Sequence, residues 1–291
     1  VVSTLILRRG AVFAEVAADA AEWRAALDGR IAALGALHAR LGEAYDQREP
    51  DHVGLLRTLW EAIVSPPGAP VQRPFASVSP LWMDRGFQRE DPTTDFRGGG
   101  VLALENLVYF ATHHGDKVRQ ILATTARDDE GARGVGDDGR PVAPKCYPFA
   151  IVGVNLTRMC AELVHLTGGA QAVQFSAAAL AAACPSFWRL SASSRDAFHE
   201  LYCVAFLLLD RRWRTTGASI TDFADVLAAT RLEVESLLAT NPTTTEALWR
   251  AWIERSASAA FGGAGGSGGS GVTTLGAGGG NAASGRKGRG R

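Results

Sequence analysis

The residues best suited to chemistry lie in one short run: Trp82, Gly86, Phe87, Gln88, Asp91, Pro92, Thr94, Asp95, Phe96, Arg97, Gly98 and Gly100. Proline and glycine punctuate it, so it reads as a loop feeding the start of a helix near Val101. Asp91 and Asp95, with Thr94, have short oxygen-bearing side chains that suit turn and cap positions, where they accept backbone N–H groups. Trp82, Phe87 and Phe96 are large enough to pin such a loop to a core. Arg97 precedes three glycines, Gly98 to Gly100, which leaves no bulky neighbour beside it in the chain. A permanently charged, planar donor on a rigid and uncluttered loop is suited to binding an anion. The same residues allow a second reading, in which Arg97 pairs with Glu90, Asp91 or Asp95 and only ties its own loop. Arg73, Arg85 and Arg89 read as surface charges able to steer an acidic partner.

Other chemistries find no support. The chain has no G-x-x-x-x-G-K-[ST] phosphate loop, no G-x-S-x-G elbow and no H-E-x-x-H pair. His113 and His114 are adjacent, which puts them on different helix faces and makes a poor metal pair. The doublets Asp128-Asp129 and Asp137-Asp138 sit in a polar stretch and read as solvated. No metal or cofactor is expected. Cys146, Cys160, Cys184 and Cys203 are widely spaced with no C-x-x-C, the pattern of reduced, buried thiols rather than a zinc site or a disulfide frame. Asn155 heads an N-x-T triplet inside an apolar helical run and reads as structural.

The elements that position the Arg97 loop are helical. Apolar residues recur at steps of three and four over 11–46, with Trp23, Leu27, Ile31, Leu34, Leu37 and Leu41 among them. This long helix is expected to pack on its own body, although the same seam would serve a partner. Similar periodicity covers 52–64, 101–114, 117–125, 148–166, 176–183, 196–214, 221–238 and 244–260. Asp222 or Thr221, and Thr243 or Thr244, are the expected N-caps of the last two. Period-two strand signals are scarce, so the body is expected to be all-α. The polar stretch 127–147 reads as a surface insertion.

Charge is balanced over the 291 residues, with 30 Lys and Arg against 30 Asp and Glu. This excludes a broadly basic nucleic-acid coat and a broadly acidic tail protein. The last thirty residues are distinct: they hold 14 of the 33 glycines and carry Arg286, Lys287, Arg289 and Arg291 with no acid. Such a tail cannot bury enough apolar surface to order itself. Its four charges give only weak, salt-sensitive attraction to a membrane surface and no specific hold on nucleic acid. The expected division is a helical segment over 1–47, a main domain over 48–261 and a disordered tail over 262–291. No apolar run approaches the ~20 residues that cross a bilayer, and the apolar start at Val1 is too brief for a signal peptide. A cytoplasmic setting is expected, with peripheral contact to membranes.

The run from Trp82 to Leu107 resembles the signature of the ELMO (engulfment and cell motility) domain, W-x-x-x-G-[FW]-Q-x-x-x-P-x-T-D-[FL]-R-G-x-G-x-x-x-L-x-x-L. Trp82, Gly86, Phe87, Gln88, Pro92, Thr94, Asp95, Phe96, Arg97, Gly98, Gly100, Leu104 and Leu107 fill every fixed position. Tyr147 to Thr157 resembles a second block of the family. Phe198 to Cys203, with Asp210 and Trp213, resembles a third. The likeness implies a multi-helix ELMO-type fold over roughly residues 50–240. It also implies one of two roles. ELMO-domain-containing proteins activate Arf and Arf-like GTPases through the arginine of the F-R-G step, here Arg97, while GTP and Mg²⁺ belong to the partner. The larger engulfment proteins are non-catalytic scaffolds in guanine-nucleotide-exchange complexes. The retained arginine and the short chain place this sequence nearer the first branch, with Asp95 as the expected holder of the Arg97 guanidinium and Gln88 as a cap for its own loop.

Overall fold

In the computed structural model, residues 2–66, 68, 71–132, 146–167 and 175–262 are described, with side chains from 20 onward in the first helix, to 126 in the fourth and to 257 in the last. They contain ten α-helices and three short 3₁₀ helices, and no strand occurs among them. The helices are α1 (Val2–Gly42), α2 (Pro50–Ile63), α3 (Gly100–His113), α4 (Gly115–Ala132), α5 (Phe149–Leu163), α6 (Ala177–Ala183), α7 (Pro185–Leu190), α8 (Ala197–Thr216), α9 (Phe223–Leu238) and α10 (Thr245–Gly262). The chain is all-α, as the periodicity indicates. The expected insertion falls partly on α4, whose backbone stays helical to Ala132. Its remaining residues 133–145, with Asp137 and Asp138, lie outside the described residues, as does the tail beyond Gly262.

The layering follows from which helices are apolar all round. Val101, Leu102, Ala103, Leu104, Leu107 and Phe110 of α3 are buried, and so is nearly every residue of α8 from Leu201 to Leu209. A helix with no polar face belongs inside. Accordingly α3 packs against α1, α2, α5 and α8, while α9 covers α5 and α8. Leu34 anchors the C-terminal part of α1 in the same core, with Leu37 and Leu41 beside it. The preceding turns are exposed, Trp23 at 69%. Thr244 caps α10 through a hydrogen bond from Ala247 N (3.2 Å). Asp222 precedes α9, and its carboxylate turns back to accept from Ser219 N (2.8 Å). One compact unit extends to Ile253, and the described residues beyond it continue α10 to Gly262.

Two polar knots cross this core. The carboxylate of Glu200 on α8 accepts from Tyr109 Oη (2.6 Å) and Trp249 Nε1 (2.6 Å), and lies 3.1 Å from His114 Nε2. Burial alone would raise its pKa, but the hydrogen bonds from His114, Tyr109 and Trp249 outweigh burial and bring it down to about 2. Deeper in the core, His199 Nδ1 lies 2.7 Å from Asn106 Oδ1, and Asn106 Nδ2 donates to Thr157 Oγ1 (2.9 Å). Burial pushes His199 down to about 4, against the charges of Asp196 and Glu200. Its ring is therefore neutral at pH 7 and serves as the donor to Asn106.

Both shifts destabilise the fold in acid. The unfolded chain binds the His199 proton near 6.5 but the folded chain only near 4, so that contribution is lost as pH falls across this interval. Glu200 is ionised in the fold down to about 2 and unfolded only above its ordinary value of 4.5. Its contribution is complete above 4.5 and lost as pH falls toward 2. Urea melts between pH 7 and 3 should show stability falling with acidity, and Glu200→Gln should flatten the part of that curve below 4.5. An unchanged slope would remove Glu200 from this account.

Burial also pushes the Cys160 thiol up to about 12 and that of Cys203 well above its ordinary value. No disulfide joins described residues. Asn155 donates through Nδ2 to Ile151 O (2.8 Å) on its own helix, a structural contact.

Candidate functional site

Two 3₁₀ helices, Pro80–Arg85 and Pro92–Gly98, build the loop that carries Arg97. Each begins with proline, whose missing N–H is not needed there. Ser79 caps the first through a bond from Leu81 N (3.3 Å), and Asp91 caps the second through a bond from Thr93 N (3.0 Å). Thr94 Oγ1 makes a longer contact to Asp91 O at 3.4 Å, and Pro92 is buried. Between the two helices the chain reverses at Gly86, with φ of +79°. A Cβ there would lie 2.3 Å from Phe149 N, so only glycine admits this approach of the loop to α5.

The aromatics pin the loop as expected. Trp82 is fully buried, and its Nε1 donates to Ala76 O (3.1 Å). Edge-to-face contacts run from Trp60 to Trp82 (5.1 Å), Trp82 to Phe87 (5.2 Å) and Phe87 to Phe96 (5.9 Å). This chain of rings fixes both 3₁₀ helices to α2.

On that base Arg97 is exposed, with no hydrogen bond or ion pair among the described residues. Two of the acids expected beside it, Asp95 and Asp91, are engaged elsewhere. Asp95, 8% exposed, accepts from Gln88 N (2.8 Å) and so clips the start of the loop to its end. It does not hold the guanidinium, because its carboxylate faces inward. Burial raises the Asp95 pKa, opposed by that hydrogen bond and by the charge of Arg89. Asp91 is committed to Thr93, bonding both its N and its Oγ1. The exposed Gln88 side chain caps nothing among the described residues; its backbone N–H makes the tie. Arg85 is also not the steering charge expected of it: its Nε donates to Ile63 O (2.7 Å), and burial lowers its pKa.

The glycines after Arg97 serve the interior. Gly100 has φ of +61°, and a Cβ on it would meet Leu41 O at 2.3 Å and Arg40 O at 2.4 Å. Gly98 faces Val154 Cγ1 at 3.2 Å. Gly100 is thus pressed against the end of α1, and a side chain on Gly98 would touch α5.

Beside Arg97 lies a cleft of about 290 Å³, bounded on one side by Thr93, Thr94 and Phe96 and on the other by Glu43 and Tyr45. Nothing in the sequence linked the segment between α1 and α2 to Arg97. It is clamped there because Val101 N donates to Glu43 O (2.9 Å), while Arg40 bridges Glu43 (2.9 Å) and Glu105 (2.7 Å). Buried His52 completes the clamp: its Nδ1 accepts from Asp46 N (3.0 Å) and its Nε2 lies 3.0 Å from Glu43 Oε1.

His114, Glu200 and Cys203 form the one group of metal-ligand types found together among the described residues. Adjacency to His113 concealed it, since the partners come from α8. Three donors converge on the Glu200 carboxylate, so the group works as a hydrogen-bond hub.

The distant sequence blocks also converge. Ile151 N donates to Gly86 O (3.3 Å), joining the second block to the Arg97 loop. Tyr147 Oη donates to Asp210 Oδ1 (2.7 Å), and its ring packs on Trp213 (5.3 Å), joining the second block to the third. The model of the ELMO/CED-12 family matches residues 35–227, which contain all of these contacts. The chain belongs to the ELMO/CED-12 family. Among its relatives, ELMO domain-containing protein C of Dictyostelium discoideum is 30% identical over 199 residues, 68% of this chain and 28% of that protein. ELMO domain-containing protein 2 of Homo sapiens is 31% identical over 169 residues, covering 58% of this chain and 47% of the relative. ELMO domain-containing protein 1 of Mus musculus is 36% identical over 135 residues, covering 46% and 39%. The match thus spans less than half the length of each of these relatives. Among the described residues of this ELMO-family chain, no helix is long and apolar enough to cross a membrane.

Proposed function

We propose that this ELMO-family chain is a GTPase-activating protein for Arf or Arf-like small GTPases, with Arg97 inserted beside the γ-phosphate of the partner's GTP. Negative charge builds on the phosphate oxygens as GTP is hydrolysed. A guanidinium supplied in trans offers fixed, permanently charged donors to that charge. Such arginines accelerate hydrolysis by about 10³–10⁵, equivalent to roughly 4–7 kcal/mol. The nucleotide, the Mg²⁺ and the residue orienting the attacking water belong to the GTPase.

The observation that supports this reading is the exposed guanidinium, without a partner among the described residues and carried on a segment held by buried rings. No ion pair to a described residue has to break before it enters another protein's pocket. The test is single-turnover hydrolysis by GTP-loaded Arf and Arf-like proteins, with and without the purified chain. Acceleration of at least one member is the expected result. No acceleration across the panel would leave the scaffold reading, in which the exposed turns of α1 around Trp23 recruit partners.

A further inference from the structure

The cleft beside Arg97 has a second wall, and one group on it has no partner among the described residues. Tyr45 lines the cleft from the α1–α2 segment, opposite Thr93 and Thr94. Its ring is held between Phe96 (6.1 Å) and His52 (5.6 Å), the first of these next to Arg97 in the chain. The backbone on either side is fixed as well, by Val101 N to Glu43 O and by Asp46 N to His52 Nδ1. The hydroxyl, in contrast, makes no hydrogen bond among the described residues, although the side chain is half-buried. The hydroxyl is not among the enclosed unpartnered polar atoms of the described residues, so it opens to solvent, where it is free to meet a bound molecule.

We infer that the Tyr45 hydroxyl is a second contact to the partner, donating a hydrogen bond to an acceptor oxygen on the GTPase's nucleotide-bearing face and so seating that face on the cleft that Arg97 borders. This rests on the role proposed for Arg97 and adds to it the residue that sets docking. Burial raises the Tyr45 pKa, and the charges of Asp91 and Asp46 raise it further, so the phenol stays protonated and acts as a donor. Those same acids favour a neutral donor at this position, since a second cation would be drawn into pairing with them. Arg97 then supplies charge stabilisation, while Tyr45 supplies orientation.

The test uses Tyr45→Phe, which keeps the ring and removes only the hydroxyl. Single-turnover rates are measured against increasing activator concentration, alongside Arg97→Lys, together with thermal melts. The expected result is a half-saturating concentration raised about five- to tenfold, the scale of one neutral hydrogen bond, with the maximal rate within about twofold of wild type and an unchanged melting midpoint. Arg97→Lys should show the opposite split, losing maximal rate. A saturation curve for Tyr45→Phe equal to wild type overturns the inference while leaving the Arg97 role intact. A lowered melting midpoint also overturns it, by giving the hydroxyl an internal duty. Wild-type protein that accelerates no GTPase removes both. Binding to GDP-loaded and GDP–aluminium fluoride-loaded partner then locates the oxygen. A loss confined to the fluoride form places the acceptor at the γ-phosphate site or on a segment that this site orders, and a loss in both forms places it on a part of the face that both forms share.

Discussion

Arg97→Lys will lose about a hundredfold of the GTPase acceleration given by the wild-type chain, and Arg97→Ala about a thousandfold or more. Lysine keeps the charge but presents a flexible point donor in place of the planar fork, so it recovers only part of the stabilisation. The folded chain should not register either change. Arg97 is exposed and contacts no partner among the described residues, so both variants should melt within about 0.5 kcal/mol of wild type. The prediction is therefore a dissociation: single-turnover rates collapse while denaturation curves coincide. Equal acceleration by wild type and Arg97→Lys would reject the finger role. A stability loss in either variant would instead point to an internal tie.

Gly100→Ala is expected to cost far more stability than the same methyl group added two residues earlier at Gly98. The αL conformation costs an L-residue roughly 1–2 kcal/mol. The added Cβ would stand 2.3 Å from Leu41 O and 2.4 Å from Arg40 O, both rigid backbone atoms at the end of α1. Relieving that overlap must separate α1 from α3, so the total should reach about 3 kcal/mol, within the range for strain at a special backbone position. For a domain of this size that lowers the melting midpoint by roughly 6–12 °C. Gly98→Ala is the control: its Cβ meets only the Val154 side chain at 3.2 Å, and its φ is not positive, so a change under about 1 kcal/mol is expected. Urea titration of both variants decides the matter. A stable Gly100→Ala protein that failed only with its partner would show that this glycine clears space outside the molecule.

The contrast between those glycines and the aromatics shows what the sequence can carry. Trp82, Phe87 and Phe96 were legible as anchors because a large apolar side chain has one favourable destination, and all three are buried. For Arg97 the sequence allowed two readings, a free guanidinium or a pair with Glu90, Asp91 or Asp95, and the side chain is exposed with no ion pair among the described residues. What Gly100 makes room for was not legible, since a missing Cβ does not say which side is crowded; here that is decided by Arg40 and Leu41, some sixty residues earlier. Asp95 was misassigned for a related reason. The loop folds back on itself, and a backbone N–H seven residues upstream takes the carboxylate that simple adjacency gave to Arg97. The helices with strong periodicity appeared where expected. The short α7 and the 3₁₀ helices Pro80–Arg85 and Pro92–Gly98 were not foreseen, because a segment of six or seven residues that opens on proline reads as a break and not as a helix. Glu200 and Tyr45 were invisible because their importance comes from neighbours on other helices.

The clamp formed by Arg40, Glu43, Asp46 and His52 has a consequence for any minimal fragment. A truncation starting at residue 48 would retain the entire Trp82-to-Leu107 signature yet discard Arg40, Glu43 and Tyr45, removing one side of the cleft and leaving Val101 N without its acceptor. Carrying the complete motif is thus not the same as carrying the complete site, and the shortest competent piece must begin upstream of the turn where Leu34 enters the core.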